Sequence, residues 1–268
     1  MYQAVFSDVD GTLLNQNHQV TPLTQKALHQ LMERNIPFVV VSARSPSGIF
    51  PILKDYQLKA SIIAYNGALV MDQQRHILAE KGMVTTTALQ VLKELETFDV
   101  AWCVYSFDQW FVKSRHDERI LREESIVKAQ SLEATLEDLQ TLSTVHKILC
   151  ICHSSDIFTI EQHLQQAFPQ CTIVRSSDIL IEIVDLGINK AKAVQKLCQL
   201  WRIPLKNVVA FGDQYNDLDM LMEVGYGWAM GNAPVDIQKK VGRVTQDNNH
   251  DGIYHALKSL DKKEEHGM

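Results

Sequence analysis

Cysteine is scarce in this chain, and its spacing excludes the common cysteine-based sites. Five cysteines occur among 268 residues, and none belongs to a Cys-x-x-Cys pair or to a Cys/His cluster with zinc-site spacing. Cys150 and Cys152 stand two apart in an apolar run, which favours packing on one side of a strand. An odd number of cysteines, with no basic leader at the start, predicts a reducing, cytoplasmic setting.

Long apolar runs and an excess of positive charge are also missing. No stretch approaches the roughly 18 unbroken apolar residues of a membrane span. Twenty-six Lys and Arg stand against 32 Asp and Glu, so the formal net charge is −6, which argues against a general nucleic-acid-binding surface. With 46% hydrophobic residues, the composition also excludes collagen and low-complexity disorder. We expect a globular monomer or small homo-oligomer with no nucleic-acid or membrane partner.

Strand-like and helix-like segments alternate at the start of the chain. Short apolar segments at 4–6, 38–41 and 62–64 predict strands, and polar residues follow each of them. Thr21 is a good N-cap and Pro22 suits the first position of a helix. This alternation predicts an α/β fold with a doubly wound, parallel, Rossmann-like sheet.

The alternation breaks in the middle of the chain and then returns. Residues 83–186 mix helices with antiparallel strand pairs, which predicts an inserted α+β domain. From 187 onward a helix, a buried strand and another helix follow in turn. We therefore predict a discontinuous core, 1–82 and 187–268, interrupted by a domain at 83–186.

Two carboxylates follow the first predicted strand directly. In Asp8-Val9-Asp10-Gly11-Thr12, an extended backbone would place both carboxylates on one side, about 7 Å apart. One acid could then act as nucleophile or metal ligand and the other as general acid and base. The alternative is a turn rich in aspartate with no chemistry.

A second acidic group follows the strand predicted near 208–211. Asp213, Asn216 and Asp217 lie in the sequence Gly-Asp-Gln-Tyr-Asn-Asp. Oxygen ligands from two strand ends suit a hard cation such as Mg²⁺. Alternatively, Asn216 or Asp217 caps the start of a helix.

A serine and a lysine extend the candidate site. The hydroxyl of Ser42, after the second strand, and the amides that follow it could hold a phosphate oxygen, although such a serine is commonly a turn former. Lys190 opens a predicted helix, where a cation opposes the helix dipole. This position favours an interaction of Lys190 with an anionic site. The alternative is a solvated lysine.

Taken in order, these residues resemble the haloacid dehalogenase superfamily of phosphatases, specifically its Cof-type, sugar-phosphatase-like branch. The matching positions are Asp8-Val9-Asp10-Gly11-Thr12-Leu13, Ser42, Lys190, Gly212-Asp213-x-x-Asn216-Asp217, and also Asn66-Gly67-Ala68 and Gly231-Asn232-Ala233. Ser42-Ala43-Arg44 stands where that family usually has Thr-Gly-Arg, and Ser42 keeps the hydroxyl. The resemblance extends over nearly the whole chain.

The resemblance implies roles for the acidic residues. Asp8 would attack phosphorus and form an aspartyl-phosphate, and Asp10 would protonate the leaving alcohol and then activate water. Mg²⁺ would be held by Asp8, Asp213 and the backbone carbonyl of Asp10, and Asp217 would support this set from outside it.

The resemblance also implies a phosphate pocket and a cap. Phosphate oxygens would be held by Ser42, Lys190, Asn216 and the amides near Val9 and Ala43. The substrate side of the site would include Arg44, Asn66 and Gly67. The insertion at 83–186 would be the family's α/β cap, which selects the leaving group.

The predicted function is therefore Mg²⁺-dependent hydrolysis of small phosphorylated metabolites, with sugar phosphates favoured. A phosphosugar mutase or phosphotransferase shares the aspartyl-phosphate and is one alternative. A non-catalytic sensor of phosphorylated ligands is another. Asp10 argues against the sensor, because an acid/base beside the nucleophile would speed loss of the phosphoryl group.

Overall fold

The computed structural model describes residues 1–127 and 129–265, which form two compact units. One unit comprises Met1–Arg44, Ile49–Ala79 and the chain from Asn189 onward. The other comprises Ser45–Gly48 and Glu80–Ile188. The domain boundaries at 82/83 and 186/187 and the role of a cap stay predictions.

The described strands and helices follow one another along the whole chain. The strands are β1 (Ala4–Ser7), β2 (Phe38–Val41), β3 (Ser61–Ala64), β4 (Leu69–Met71), β5 (Ile77–Glu80), β6 (Ala101–Ser106), β7 (Gln109–Val112), β8 (Leu132–Glu133), β9 (Lys147–Ile151), β10 (Cys171–Arg175), β11 (Leu180–Asp185), β12 (Val208–Gly212) and β13 (Tyr226–Ala229). The α-helices are α1 (Pro22–Glu33), α2 (Pro46–Asp55), α3 (Thr85–Leu95), α4 (Glu118–Val127), α5 (Ile157–Ala167), α6 (Lys190–Trp201), α7 (Leu218–Glu223), α8 (Val235–Val241) and α9 (Gly252–Glu265).

The first unit is built on a seven-stranded sheet in the order β13-β12-β1-β2-β3-β4-β5. Strands β13 to β3 of this order pair in parallel, whereas β4 pairs antiparallel with β3. The strands predicted at 4–6, 38–41 and 62–64 are confirmed, as is the doubly wound parallel sheet. Strand β1 lies between β2 and β12, so the chain order reverses there. Ligands bind at such a reversal, beyond the carboxyl ends of the strands.

The first helix shows how local signals and tertiary contacts combine. It begins at Pro22 as predicted, with Thr21 in the N-cap position. The Thr21 side chain makes no capping hydrogen bond, because its hydroxyl donates instead to Asp251. Leu28 and Leu31 are buried on the inner face of this helix. Burial of each leucine contributes about 1.5–3 kcal/mol, which outweighs the missing cap of about 1 kcal/mol.

The second unit holds a six-stranded sheet in the order β10-β11-β9-β6-β7-β8. Its strands pair antiparallel except for β7 with β8, which agrees with the predicted α+β character of the insertion. Helices α3 and α5 contribute to its apolar core. Cys150 and Cys152 belong to this core, as predicted from their spacing. No helix in the described residues has the length and apolar character needed to cross a membrane.

Candidate active site

Two neighbouring parallel strands deliver the main acidic residues to one edge of the sheet. Strands β1 and β12 pair in register, with Ser7 opposite Phe211. Asp8 directly follows β1, and its backbone N–H donates to the carbonyl of Phe211 over 3.0 Å. Asp213 directly follows β12. The strand register therefore brings together two carboxylates that lie about two hundred residues apart in sequence.

Three buried aspartates form a compact cluster at this edge. Asp8, Asp213 and Asp217 each offer one carboxylate oxygen, and these atoms lie within 4.8 Å of one another. All three residues are buried. Like charges at such distances repel strongly where water is excluded, so the cluster needs positive charge close by.

Lys190 supplies positive charge to this cluster. Its side chain is 1% exposed, and Nζ donates to Asp8 Oδ1 and to Asp217 Oδ1, each over 2.6 Å. Burial alone would lower the pKa of Lys190, but the carboxylates of Asp217 and Asp8 raise it above its ordinary value. Lys190 is thus a buried ammonium in an anionic site, and the alternative of a solvated lysine is wrong.

One ammonium does not balance three carboxylates. Burial raises the pKa of Asp8 well above its ordinary value, although Lys190 opposes this. Burial also raises the pKa of Asp213 to about 6, and the charge of Asp217 adds to the rise. Burial is the main cause of both shifts, and repulsion from neighbouring carboxylates is a smaller one. Carboxylate oxygens are the ligands of hard divalent cations, so the donor set and its charge fit such an ion.

Both carboxylate oxygens of Asp217 accept hydrogen bonds from neighbouring groups. Oδ1 accepts from Lys190, while Oδ2 accepts the backbone N–H groups of Asp213 and Gln214, each over 3.0 Å. Asp217 also completes a capping box with Gln214 at the start of a short 3-10 helix. At the N-cap position of α7, however, the Asp217 side chain makes no capping hydrogen bond, so its capping role is limited to the third position of this 3-10 helix, where Gln214 is the N-cap. A Cβ at Gly212 would lie 2.4 Å from the Cβ of Asp217, so this approach requires glycine.

Asp10 differs from Asp8 in its surroundings, because its carboxylate is exposed and lies outside the buried aspartate cluster. The chain turns after Asp8, and the N–H of Leu14 donates to the carbonyl of Val9 over 2.9 Å. The Asp10 side chain is 52% exposed and pairs with Arg44 through Nε–Oδ2 and NH2–Oδ1 distances of 2.8 and 2.6 Å. Of the four aspartates assigned to one cation site, three contribute carboxylates to the cluster, and the carboxylate of Asp10 lies outside it.

The remaining sequence-predicted residues form a connected loop system. The buried Ser42 accepts the N–H of Arg44 at Oγ over 3.1 Å, and its carbonyl accepts the N–H of Asn66 over 2.9 Å. Asn216 Nδ2 donates to Asn66 Oδ1 over 3.2 Å. A Cβ at Gly67 would lie 2.6 Å from the carbonyl of Asn189, so this turn packs directly against the residue that precedes Lys190.

The two amide positions of the predicted phosphate pocket lie on these same loops. Val9 is buried in the turn that separates Asp8 from Asp10, and Ala43 is half-buried between Ser42 and Arg44. Their role as phosphate-binding amides stays a prediction, as do the phosphate contacts of Ser42, Lys190 and Asn216.

Sequence reasoning gave no role to two residues that hold Asp213. The Thr12 hydroxyl donates to Asp213 Oδ1 over 2.8 Å. Asn232 Nδ2 donates to the carbonyl of Gly11 over 2.8 Å and approaches Asp213 Oδ2 at 3.4 Å. Thr12 could have been found, because a hydroxyl directly after a glycine turn faces the same edge. Asn232 stands in the Gly231-Asn232-Ala233 match to the family pattern, but that match gives no indication of its contact with Gly11 and Asp213.

Comparisons with known proteins place most of the chain in one family. The family profile described as haloacid dehalogenase-like hydrolase matches residues 5–257. The chain is 35% identical over 256 residues to a Haemophilus influenzae protein provisionally named a phosphatase, covering 94% of this chain and 96% of the relative. It is 27% identical over 266 residues to the HMP-PP phosphatase of Yersinia pseudotuberculosis, covering 97% of each chain. A haloacid dehalogenase-like hydrolase from Bacteroides thetaiotaomicron superposes with a TM-score of 0.88 at 25% identity, covering 97% of this chain and 100% of that structure.

Proposed function

The chain belongs to the haloacid dehalogenase-like hydrolases, and on this basis we propose that it is a Mg²⁺-dependent phosphatase acting on small phosphorylated metabolites. The observation that carries the proposal is the buried Lys190, bonded to both Asp8 and Asp217 beside Asp213. A nucleophilic carboxylate that meets an anionic phosphate needs this concentration of positive charge.

Asp8 is assigned as the nucleophile. One of its carboxylate oxygens attacks phosphorus in line with the leaving oxygen, so that a bond from Asp8 to phosphorus forms as the ester bond breaks. Lys190 holds Asp8 in place and offsets negative charge that the phosphate brings. Water then attacks phosphorus, the bond to Asp8 breaks, and inorganic phosphate leaves.

A divalent cation is assigned to the aspartate cluster. Asp8 and Asp213 would hold it together with the backbone carbonyl of Asp10, while Asp217 supports Asp213 and Lys190 through the hydrogen bonds described above. A bound Mg²⁺ would supply positive charge that screens the repulsion between carboxylate and phosphate.

Asp10 is assigned as the general acid and base. It donates a proton to the leaving alkoxide in the first step and takes a proton from the attacking water in the second. The ion pair with Arg44 is exposed, and exposed pairs contribute only about 0–1 kcal/mol. Arg44 therefore holds Asp10 weakly enough for the carboxylate to exchange this partner for the substrate.

Family membership supports the proposed substrate class. The curated relative named HMP-PP phosphatase supports a small phosphorylated compound. Within this class we favour sugar phosphates, as the Cof-type resemblance implies. We assign selection of the leaving group to the predicted cap at 83–186.

The proposal is tested by a screen of the purified protein against a panel of phosphorylated metabolites with Mg²⁺. We expect release of inorganic phosphate, with the highest kcat/KM on a sugar phosphate. Formation of an isomeric ester without phosphate release would establish a mutase instead. Tight binding of phosphorylated ligands with no turnover would favour a sensor.

A further inference from the structure

Asn232 joins two loops that sequence reasoning treats as separate. It lies just beyond β13, and its Nδ2 donates to the carbonyl of Gly11 over 2.8 Å, in the loop that carries Asp8 and Asp10. The same nitrogen lies 3.4 Å from Asp213 Oδ2, after β12. A single carboxamide thus connects both strand ends that contribute to the aspartate cluster.

The orientation of this carboxamide is fixed from its other end. Asn232 Oδ1 accepts the backbone N–H of Asn248 over 3.2 Å. Asn248 Nδ2 in turn donates to the carbonyl of Leu14 over 2.8 Å, at the far end of the Asp8–Leu14 turn. The oxygen of Asn232 is therefore engaged, and its NH₂ group is held facing Gly11 and Asp213.

The segment around Asn232 is closely packed. A Cβ at Gly231 would lie 2.8 Å from the backbone nitrogen of Asp247, and the N–H of Gly231 donates to the carbonyl of Gln246 over 3.2 Å. The N–H of Met230 donates to the carbonyl of Gly212 over 3.0 Å, directly beside Asp213. These contacts fix the backbone before Asn232 against neighbouring loops, while Asn232 itself is exposed.

Asp213 lies in direct contact with the Gly11 loop, to which Asn232 is hydrogen-bonded. Thr12 donates to Oδ1, and a Cβ at Gly11 would lie only 2.4 Å from Oδ2. A sideways shift of the Gly11 loop would change both the position of Asp213 and the direction of the neighbouring carbonyl of Asp10. Groups that orient metal ligands in this way alter metal affinity by about 10- to 100-fold.

We propose that Asn232 is a positioning residue for a divalent cation at the aspartate cluster, because its carboxamide sets the spacing between the Gly11 loop and Asp213. This inference rests on the proposed function. Asn232 acts through Asp213 and the Gly11 loop and touches neither substrate nor reacting atoms.

The test is the affinity of the protein for Mn²⁺ without substrate, measured by electron paramagnetic resonance of the free ion. Asn232→Leu keeps nearly the size of the side chain, removes the amide donor to Gly11 and Asp213, and adds no charge beside the cluster. We expect the Mn²⁺ dissociation constant to rise about 10- to 100-fold. The Mg²⁺ concentration for half-maximal activity should rise by a similar factor, while kcat at saturating Mg²⁺ changes far less.

Asn249→Ala is the matched control, because the Asn249 side chain accepts the backbone N–H of Gln16 and, among the contacts of the described residues, makes none with Asp213. Its Mn²⁺ affinity should equal that of the wild type within twofold. If Asn232→Leu does not fold, Asn232→Ala provides the same measurement with a smaller side chain. Circular dichroism and the melting temperature without metal establish folding for each variant.

The outcomes separate this inference from the function on which it rests. If the wild type binds Mn²⁺ and hydrolyses phosphate esters but a folded Asn232 variant binds Mn²⁺ equally well, the positioning role is wrong and the function stands. A drop in kcat at saturating Mg²⁺ with unchanged Mn²⁺ affinity also overturns the positioning role. If the wild type neither binds Mn²⁺ nor hydrolyses any ester, the proposed function fails and this inference fails with it.

Discussion

The ammonium of Lys190 lies 2.6 Å from Oδ1 of Asp8, in a contact that is buried on both sides. The two residues are 182 positions apart in sequence. Their contact exists because α6 begins beside the carboxyl end of β1. It gives Asp8, the proposed nucleophile, a countercharge at a fixed position.

Replacement of Lys190 is expected to lower the free energy of unfolding as well as the activity. Lys190→Met leaves Asp8 and Asp217 buried without their partner, and breaking a buried pair in this way costs about 3–5 kcal/mol. Urea unfolding at pH 7 measures the loss. Lys192→Met, at an exposed position of the same helix, is the control and should change stability by less than about 0.5 kcal/mol. Equal free energies of unfolding for Lys190→Met and Lys192→Met would show that Lys190 does not stabilise the buried carboxylates.

The raised pKa of Asp213 predicts a pH-dependent stability in metal-free protein. Burial raises this pKa from 3.8 to about 6, so the folded state binds a proton more tightly than the unfolded state. The contribution of Asp213 to stability is therefore complete below pH 3.8 and is lost as the pH rises through 6. At 1.36 kcal/mol per pKa unit, the loss is about 3 kcal/mol.

Asp213→Asn removes this titration while keeping an acceptor for Thr12. In metal-free buffer, the stability of the variant relative to wild type should rise by about 3 kcal/mol between pH 4 and pH 7. Urea unfolding at a series of pH values gives this difference. A difference that stays constant across the range contradicts the assignment.

The assigned role of Asp10 predicts a dependence on the leaving group. Asp10→Asn removes the proton donor, and loss of general acid–base catalysis costs about 10²- to 10⁴-fold in rate. The loss should be larger for an alkyl phosphate than for p-nitrophenyl phosphate, because p-nitrophenolate leaves without protonation. Steady-state rates on both esters measure the ratio. Equal losses on the two substrates would remove the general-acid role.

Arg44 is expected to matter little for stability despite its short contacts with Asp10. Its guanidinium and the carboxylate are both substantially exposed, and such pairs contribute about 0–1 kcal/mol. Arg44→Ala should therefore lower the free energy of unfolding by less than about 1 kcal/mol in urea. A loss of several kcal/mol would mean that the Arg44–Asp10 pair stabilises the fold, and that Arg44 is not an exchangeable partner of Asp10.

Sequence alone could predict the parts of the site that depend on strand ends. Asp8 and Asp213 each follow an apolar segment, and parallel strands gather such residues at one edge. Lys190 could be predicted because a lysine at a helix start is unfavourable unless an anionic site receives it.

The parts that depend on loop paths could not be predicted. The carboxylate of Asp10 pairs with the guanidinium of Arg44, a contact that the spacing of Asp8 and Asp10 does not indicate. Asn232 reaches Gly11 only because β13 lies beside β12 and the chain after it folds back toward this edge. Neither hydrophobic periodicity nor capping signals encode the route of such loops, so their contacts appear only in the three-dimensional structure.

The most direct test of Asp8 as the nucleophile is hydrolysis of p-nitrophenyl phosphate by Asp8→Asn, compared with the wild type at saturating Mg²⁺. Asparagine has nearly the same shape but no anionic oxygen to attack phosphorus. We expect Asp8→Asn to lose turnover while it retains the far-UV circular dichroism spectrum of the wild type. Turnover close to that of the wild type would contradict the assignment of Asp8 as the nucleophile.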